Sequence, residues 1–162
     1  MQLELGLMFR QSGFDVRFEI TCNVGVHPRQ TKKQKRDLDL IVSDGCTSLA
    51  IELKVPLAGR VPETMFDFYA DVAFVEAVVK AELADDGFCI LMTNDPLFWS
   101  GKNNEDIYRP LRVRDEQLHG VFNKPTGRCD QSVFVEGVYH PEWRALVNRL
   151  LLPDAKYVLL EI

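Results

Sequence analysis

Alternation of apolar and polar residues in the first third of the chain predicts three β-strands. Residues 14–24 alternate regularly, as expected for a strand with one buried and one exposed face. Residues 36–42 and 48–55 show the same period of two, with charged residues placed among leucine, isoleucine and valine. Asp44 and Gly45, between these two stretches, form a common turn sequence. The two stretches are therefore predicted to pair as an antiparallel hairpin.

Helices are predicted on either side of these strands in the sequence. Residues 2–12 have a short helical pattern, and Gly13 follows as a typical stop signal. Residues 64–83 carry apolar side chains at intervals of three and four, which predicts a longer helix packed on a sheet by one stripe. Thr64 and Asp67 match a capping box at its start.

The second half of the chain predicts fewer regular elements. Residues 88–93 are a continuous apolar run, typical of a central strand covered on both faces. Residues 97–130 have no strong period, and we interpret them as an irregular insertion over a site or a lid. Residues 132–139 predict a strand, 140–151 a helix and 157–162 a closing strand. Together the patterns predict a single α/β (α+β) domain, with a mixed central sheet flanked by helices in the order αβββαβ and C-terminal additions.

Composition agrees with one soluble domain. The chain has 162 residues, of which 46% are hydrophobic and 27% charged. It contains no long apolar run, and its first residues lack the pattern of a signal peptide, so we expect a cytoplasmic protein with no membrane partner. The four cysteines form no CxxC pair, which favours reduced thiols over a zinc site.

Charge is unevenly distributed along the chain. The net charge of −5 argues against a protein that coats nucleic acid without specificity. Residues 29–36 nevertheless carry five positive charges and no negative one: Arg29, Lys32, Lys33, Lys35 and Arg36. A solvated loop is the simplest interpretation of such a run. Because it directly precedes the charged hairpin, we predict that these residues bind nucleic acid by contacting phosphates.

The hairpin is the strongest candidate for chemistry. Asp39 lies in its first strand, and Glu52 and Lys54 share one face of its second. Two carboxylates about 5 Å apart at an effective dielectric constant near 20 repel by about 3 kcal/mol. A cation relieves that repulsion, and oxygen ligands without histidine or cysteine suit Mg²⁺, Mn²⁺ or Ca²⁺ better than zinc. The alternative is an outward face on which these residues form weak ion pairs across the strands.

Asp39, followed thirteen residues later by Glu52-Leu53-Lys54 on the next strand, resembles the motif of the PD-(D/E)XK nuclease superfamily. The element order of about residues 1–95 is similar to the restriction-endonuclease-like fold of that family. The resemblance implies that Asp39 and Glu52 bind Mg²⁺ (or Mn²⁺) and that Lys54 positions or deprotonates the attacking water. It implies that Glu4 is the helix carboxylate that orients the lysine or touches a second metal. It also implies an endonuclease or exonuclease acting on nucleic acid, with DNA favoured.

The chain departs from the family pattern in two places. Leu38 stands where the proline of the Pro-Asp pair is expected. The following helix lacks the Gln and Tyr that some members carry, and has Asp67 and Asp71 there, facing either the site or water. A catalytically inactive nuclease-like module that binds nucleic acid or a protein partner therefore stays an alternative, as does an assembly subunit that recruits a partner through the irregular segment. A homodimer would be needed to cut both strands symmetrically, so oligomeric state is open.

Overall fold

The structure is a computed structural model that describes residues 1–25, 34–56, 59–126, 131–147 and 154–162. It has three α-helices in these residues: α1 (Gln2–Gln11), α2 (Val61–Lys80) and α3 (Arg109–Arg112). Its described strands are β1 (Asp15–Val24), β2 (Gln34–Ser43), β3 (Ser48–Lys54), β4 (Asp86–Thr93), β5 (Leu118–Asn123), β6 (Ser132–Tyr139), β7 (Arg144–Ala145) and β8 (Lys156–Glu161). Short 3₁₀ turns occur at Pro96–Phe98 and Asp106–Tyr108.

Six of the strands form one mixed sheet in the order β1-β2-β3-β4-β8-β7. β3 and β4 are parallel because α2 connects them, and the remaining neighbours are antiparallel. β5 and β6 form a separate hairpin that packs on α2. The predicted mixed sheet with helices, in the order αβββαβ, is therefore confirmed at the level of the elements.

α2 owes its position to its composition, because apolar residues surround most of its circumference. One part packs on the large sheet, and Tyr69 stacks on Phe122 of the β5–β6 hairpin with ring centroids 4.5 Å apart. The Tyr69 hydroxyl donates to the carbonyl of Ile107 at 2.8 Å. A helix that is apolar on most sides is a core helix, so any charge on it is costly unless it is paired.

Side chains that share one face of the long β1–β2 hairpin by their spacing pack in two different cores. Phe18 and Leu40 pair with each other and pack in the core under α1, whereas Ile20 and Leu38 pair with each other and pack in the core around α2. Strict alternation would keep Leu38 and Leu40 on one face. The change occurs at Glu19, whose φ is 49°, opposite Asp39. This twist brings Asp39 to the boundary between the two cores.

Three predictions for the elements are wrong in the described residues. The helix predicted from residue 140 is absent over 140–147, where Arg144 and Ala145 pair with β8 as a short strand, since the free edge of β8 supplies backbone partners. The segment 97–130 is more regular than predicted, because it contains β5, whose pattern Gly120 interrupts. α2 begins at Val61 rather than Thr64, because Pro62 is tolerated in a first turn. No helix among the described residues is both long and apolar enough to cross a membrane.

Candidate active site

β3 carries the central residues of the candidate site. Ala50 packs in the core around α2, so the alternating positions Glu52 and Lys54 face the same helix. Glu52 is 6% exposed, although Lys54 keeps part of its side chain in solvent. The period of two thus places an acid and a base side by side between the sheet and α2.

Asp71 of α2 meets these residues from the other side. Its carboxylate is buried, with one oxygen 2.8 Å from Lys54 Nζ and the other bound by the Arg36 guanidinium. Arg36 also donates to the carbonyl of Ala70 at 3.1 Å and lies over the ring of Phe74 at 4.6 Å. Burial raises the pKa of Asp71, and the two cations act in the opposite direction. Two positive groups therefore hold one buried carboxylate.

Glu52 lacks such compensation. Burial and the negative charges of Asp71 and Asp39 together raise its pKa to about 9, although the positive charges of Arg36 and Lys54 act in the opposite direction. Its Oε1 is buried and has no hydrogen-bond partner among the described residues. A carboxylate in this position is stable only when it is protonated or when a further cation approaches it. A pKa of about 9 makes the protonated form of Glu52 the favoured one near pH 7.

Asp39 is attached to β3 by its side chain. Its Oδ2 accepts a hydrogen bond from the backbone N–H of Leu53 at 2.8 Å, between Glu52 and Lys54. Its own carbonyl accepts from Gln2 Nε2 of α1 at 2.7 Å. The Asp39 side chain is thereby fixed beside Glu52, and the structure brings Asp39, Glu52 and Lys54 together.

Glu4 lies apart from this cluster. Its side chain is 73% exposed and forms an ion pair with the N-terminal amine at 2.5 Å. In the described residues no contact joins it to Asp39, Glu52 or Lys54. The carboxylate that holds the lysine is Asp71 of the second helix, and the role predicted for Glu4 stays a prediction.

The basic segment is only partly described. Arg29, Lys32 and Lys33 lie outside the described residues. Lys35 is exposed on β2, so its contact with phosphate stays a prediction. Arg36 belongs to the site itself, because its guanidinium binds Asp71 instead of projecting into solvent. Arg36 therefore pairs with Asp71, and its contact with phosphate stays a prediction.

Sequence reasoning left one member of the cluster, Asp71, unassigned. Asp71 was expected to face either the site or water, and it faces the site, whereas Asp67 is exposed. A signal for this difference exists: Asp71 falls within the apolar stripe that includes Phe68, Val72 and Val75. A carboxylate within a buried stripe requires a cation on the facing element, and Arg36 lies there.

The described residues contain no group of three or more His, Cys, Asp or Glu side chains arranged to hold a metal ion. Glu52 and Asp39 are the two carboxylates that could share one. Comparisons with protein-family models, curated proteins and solved structures find no match to this chain. The functional argument accordingly depends on the residues and their geometry.

Proposed function

We propose that this protein is a metal-dependent nuclease with a restriction-endonuclease-like core, which hydrolyses phosphodiester bonds at Asp39, Glu52 and Lys54. The observation that carries the proposal is the buried Oε1 of Glu52, which has no partner among the described residues and lies between further carboxylates and two cations. The Oδ2 of Asp71 also lacks a hydrogen bond, but the Lys54 ammonium group lies 2.8 Å from it, whereas no ion pair reaches Glu52 among the described residues. A further cation would compensate the Glu52 carboxylate. DNA is the favoured substrate, as the resemblance of the Asp39 and Glu52-Leu53-Lys54 motif implies.

The residues present fit a hard divalent cation. Mg²⁺ is commonly bound by only one or two protein carboxylates, with water and substrate phosphate completing its coordination. Glu52 and Asp39 supply those two carboxylates, and the backbone carbonyl of Leu53 between them is a further candidate. A cation there would lower the proton affinity of Glu52 by direct attraction. These donors are carboxylate and carbonyl oxygens, which suit Mg²⁺ or Mn²⁺ better than zinc.

Lys54 is the residue placed to act on the reacting groups. Its ammonium group lies 2.8 Å from Asp71 Oδ2, which directs it to the region of Glu52. In this position it can orient a water molecule and offset negative charge on a phosphoryl group in the transition state. The bound cation would supply Lewis-acid stabilisation of the same phosphoryl oxygens. Asp71 and Arg36 then act as positioning residues, because they contact the lysine or its carboxylate partner.

Cleavage of plasmid and single-stranded DNA with Mg²⁺ or Mn²⁺ tests this proposal. Glu52→Gln and Lys54→Ala are each expected to reduce cleavage by at least about a hundredfold, the usual effect of removing a charge-stabilising group. Glu161→Gln, an exposed position on β8, is the matched control and is expected to cleave like the wild type. Equal cleavage by all four proteins would assign the activity to another site or a contaminant.

A second candidate is a nuclease-like module that binds without catalysis. The net charge of −5 and the lack of the Gln and Tyr that some family members carry on the following helix favour it. Calorimetric titration with Mn²⁺ separates the two candidates. The nuclease is expected to bind Mn²⁺ and to lose that binding in Asp39→Asn, which keeps an oxygen for the Leu53 N–H. A folded wild type that binds no Mn²⁺ would favour the noncatalytic module.

A further inference from the structure

A cleft with a volume of about 410 Å³ lies near the carboxyl end of β4. Trp99 and Trp143 line it, with ring centroids 5.3 Å apart and an angle of 60° between the rings. Both rings are half-buried, and the Trp143 indole N–H is satisfied by the carbonyl of Leu111 at 2.7 Å. We name it the tryptophan cleft. It presents aromatic surface on fixed side chains.

The tryptophan cleft lies on the same face of the sheet as the candidate active site, near the carboxyl ends of β3 and β4. Lys156, which lines the cleft, pairs with Thr93 of β4. Thr93 Oγ1 donates to the carbonyl of Pro56, two residues after Lys54. Val158, two residues after Lys156, packs in the core around α2, which is the side that Lys54 faces. Lys54 pairs with Leu91, and Leu91 pairs with Val158, so two strand spacings, about 10 Å, separate the backbones of Lys54 and Val158, and Lys156 of the cleft lies two residues farther along β8.

Basic groups border the aromatic surface. Lys156 Nζ lies 4.8 Å from the centre of the Trp99 ring. Arg112 donates to the carbonyls of Leu97 and Asn103 and lies 4.1 Å from the centre of the Tyr108 ring, so its guanidinium is held within the wall of the cleft. Each carboxylate that lines the cleft is paired with an arginine: Asp115, Glu116 and Glu142. Lys156 forms no ion pair among the described residues, so its positive charge is available in the cleft.

We propose that the tryptophan cleft binds unpaired bases of a single-stranded nucleic acid, with Lys156 contacting its phosphates. Tryptophan rings beside cations are the usual means of holding single strands, because every base has a face that can stack. Bases in a duplex are stacked on each other and do not offer that face. Binding of a single-stranded nucleic acid in the cleft stands by itself. Only the further step, in which the bound nucleic acid extends to Lys54 for cleavage, rests on the proposed function.

Intrinsic fluorescence tests the proposal directly, because the sequence contains two tryptophans and both line the cleft. The titrant is an oligothymidylate of about twelve nucleotides, within the range that a single strand-binding fold covers. Titration in EDTA excludes any contribution from cleavage. We expect quenching that saturates, with at least tenfold weaker binding of an abasic strand and of a duplex of equal length.

Variants locate the binding in the cleft. Lys156→Gln, which leaves both rings in place, is expected to weaken oligothymidylate binding about tenfold, and Trp99→Phe is expected to weaken it while removing part of the signal. Lys80→Gln is the control, because Lys80 pairs with Glu136 on the far side of α2. Absence of quenching, or equal affinity for the oligothymidylate, abasic strand and duplex, would overturn the proposal.

The same experiment is independent of the nuclease proposal. Titration in EDTA requires no cleavage, and Glu161→Gln, exposed on β8 and outside the cleft, is expected to bind oligothymidylate like the wild type. Binding without any metal-dependent cleavage would leave the cleft proposal standing and count against the nuclease. Metal-dependent cleavage without any change in tryptophan fluorescence would support the nuclease proposal and overturn the cleft proposal.

Discussion

Replacing Glu52 with glutamine is the most direct test of the electrostatics of the site. The side chain keeps its size and loses its charge. A buried carboxyl with a pKa near 9 binds a proton in the folded state, whereas the same group ionises near 4.5 in the unfolded chain. The folded state thus binds more protons than the unfolded state between these pH values. Stability is fully present below about pH 4.5 and falls as the pH rises toward about 9.

The magnitude follows from the distance between the two pKa values. From 4.5 to neutral pH the wild type loses stability over about 2.5 pH units, each worth about 1.4 kcal/mol, which gives about 3 kcal/mol. Glu52→Gln has no proton to lose and lacks this slope. For a chain of this length, 1 kcal/mol corresponds to about 2–4 °C. We expect the difference in Tm between variant and wild type to change by about 6–12 °C in favour of the variant from acid to neutral pH.

Thermal unfolding followed by circular dichroism in EDTA, at several values between about pH 5 and 8, measures this difference. The amide of Glu52→Gln has N–H donors that also need partners, and this changes the Tm by a similar amount at every pH. The change of the Tm difference with pH is therefore the diagnostic quantity, and the Tm at a single pH is not. Glu161→Gln is the control, since an exposed carboxylate contributes little to the slope. Parallel Tm curves for wild type and Glu52→Gln would refute the buried, uncompensated state of Glu52.

Three further predictions concern the surrounding fold, each measured by urea denaturation. Asp71→Asn is expected to cost about 2–4 kcal/mol, because it leaves two cations facing a neutral amide, and Asp67→Asn at the exposed neighbour should cost little. Gly87→Ala is expected to cost about 1–3 kcal/mol, because a Cβ there would meet Val75 at 2.2 Å. Tyr69→Phe should cost about 1 kcal/mol through its lost buried hydrogen bond. Costs under about 0.3 kcal/mol would contradict the packing described for each position.

Local patterns were sufficient to predict the main elements. The alternation over 14–24 and the apolar run at 88–93 correspond to β1 and β4, and the hairpin around Asp44 is formed by β2 and β3. Side chains two apart on a strand share a face wherever the strand is regular, so Glu52 and Lys54 could be placed together without knowledge of the fold. The helix predicted from residue 140 is wrong over 140–147 because a local period does not reveal that the edge of β8 is free to pair with this segment.

Tertiary packing decided how the charged residues behave. The sequence alone determined that Asp39, Glu52 and Lys54 occupy neighbouring strands. It did not determine that α2 covers Glu52, or that Asp71 approaches from that helix with Arg36 opposite. The twist at Glu19 is also a tertiary result, since it divides Leu38 and Leu40 between two cores despite their spacing of two. The physical reason is that a period specifies which residues share a face, whereas burial and the resulting pKa depend on which distant segment packs on that face.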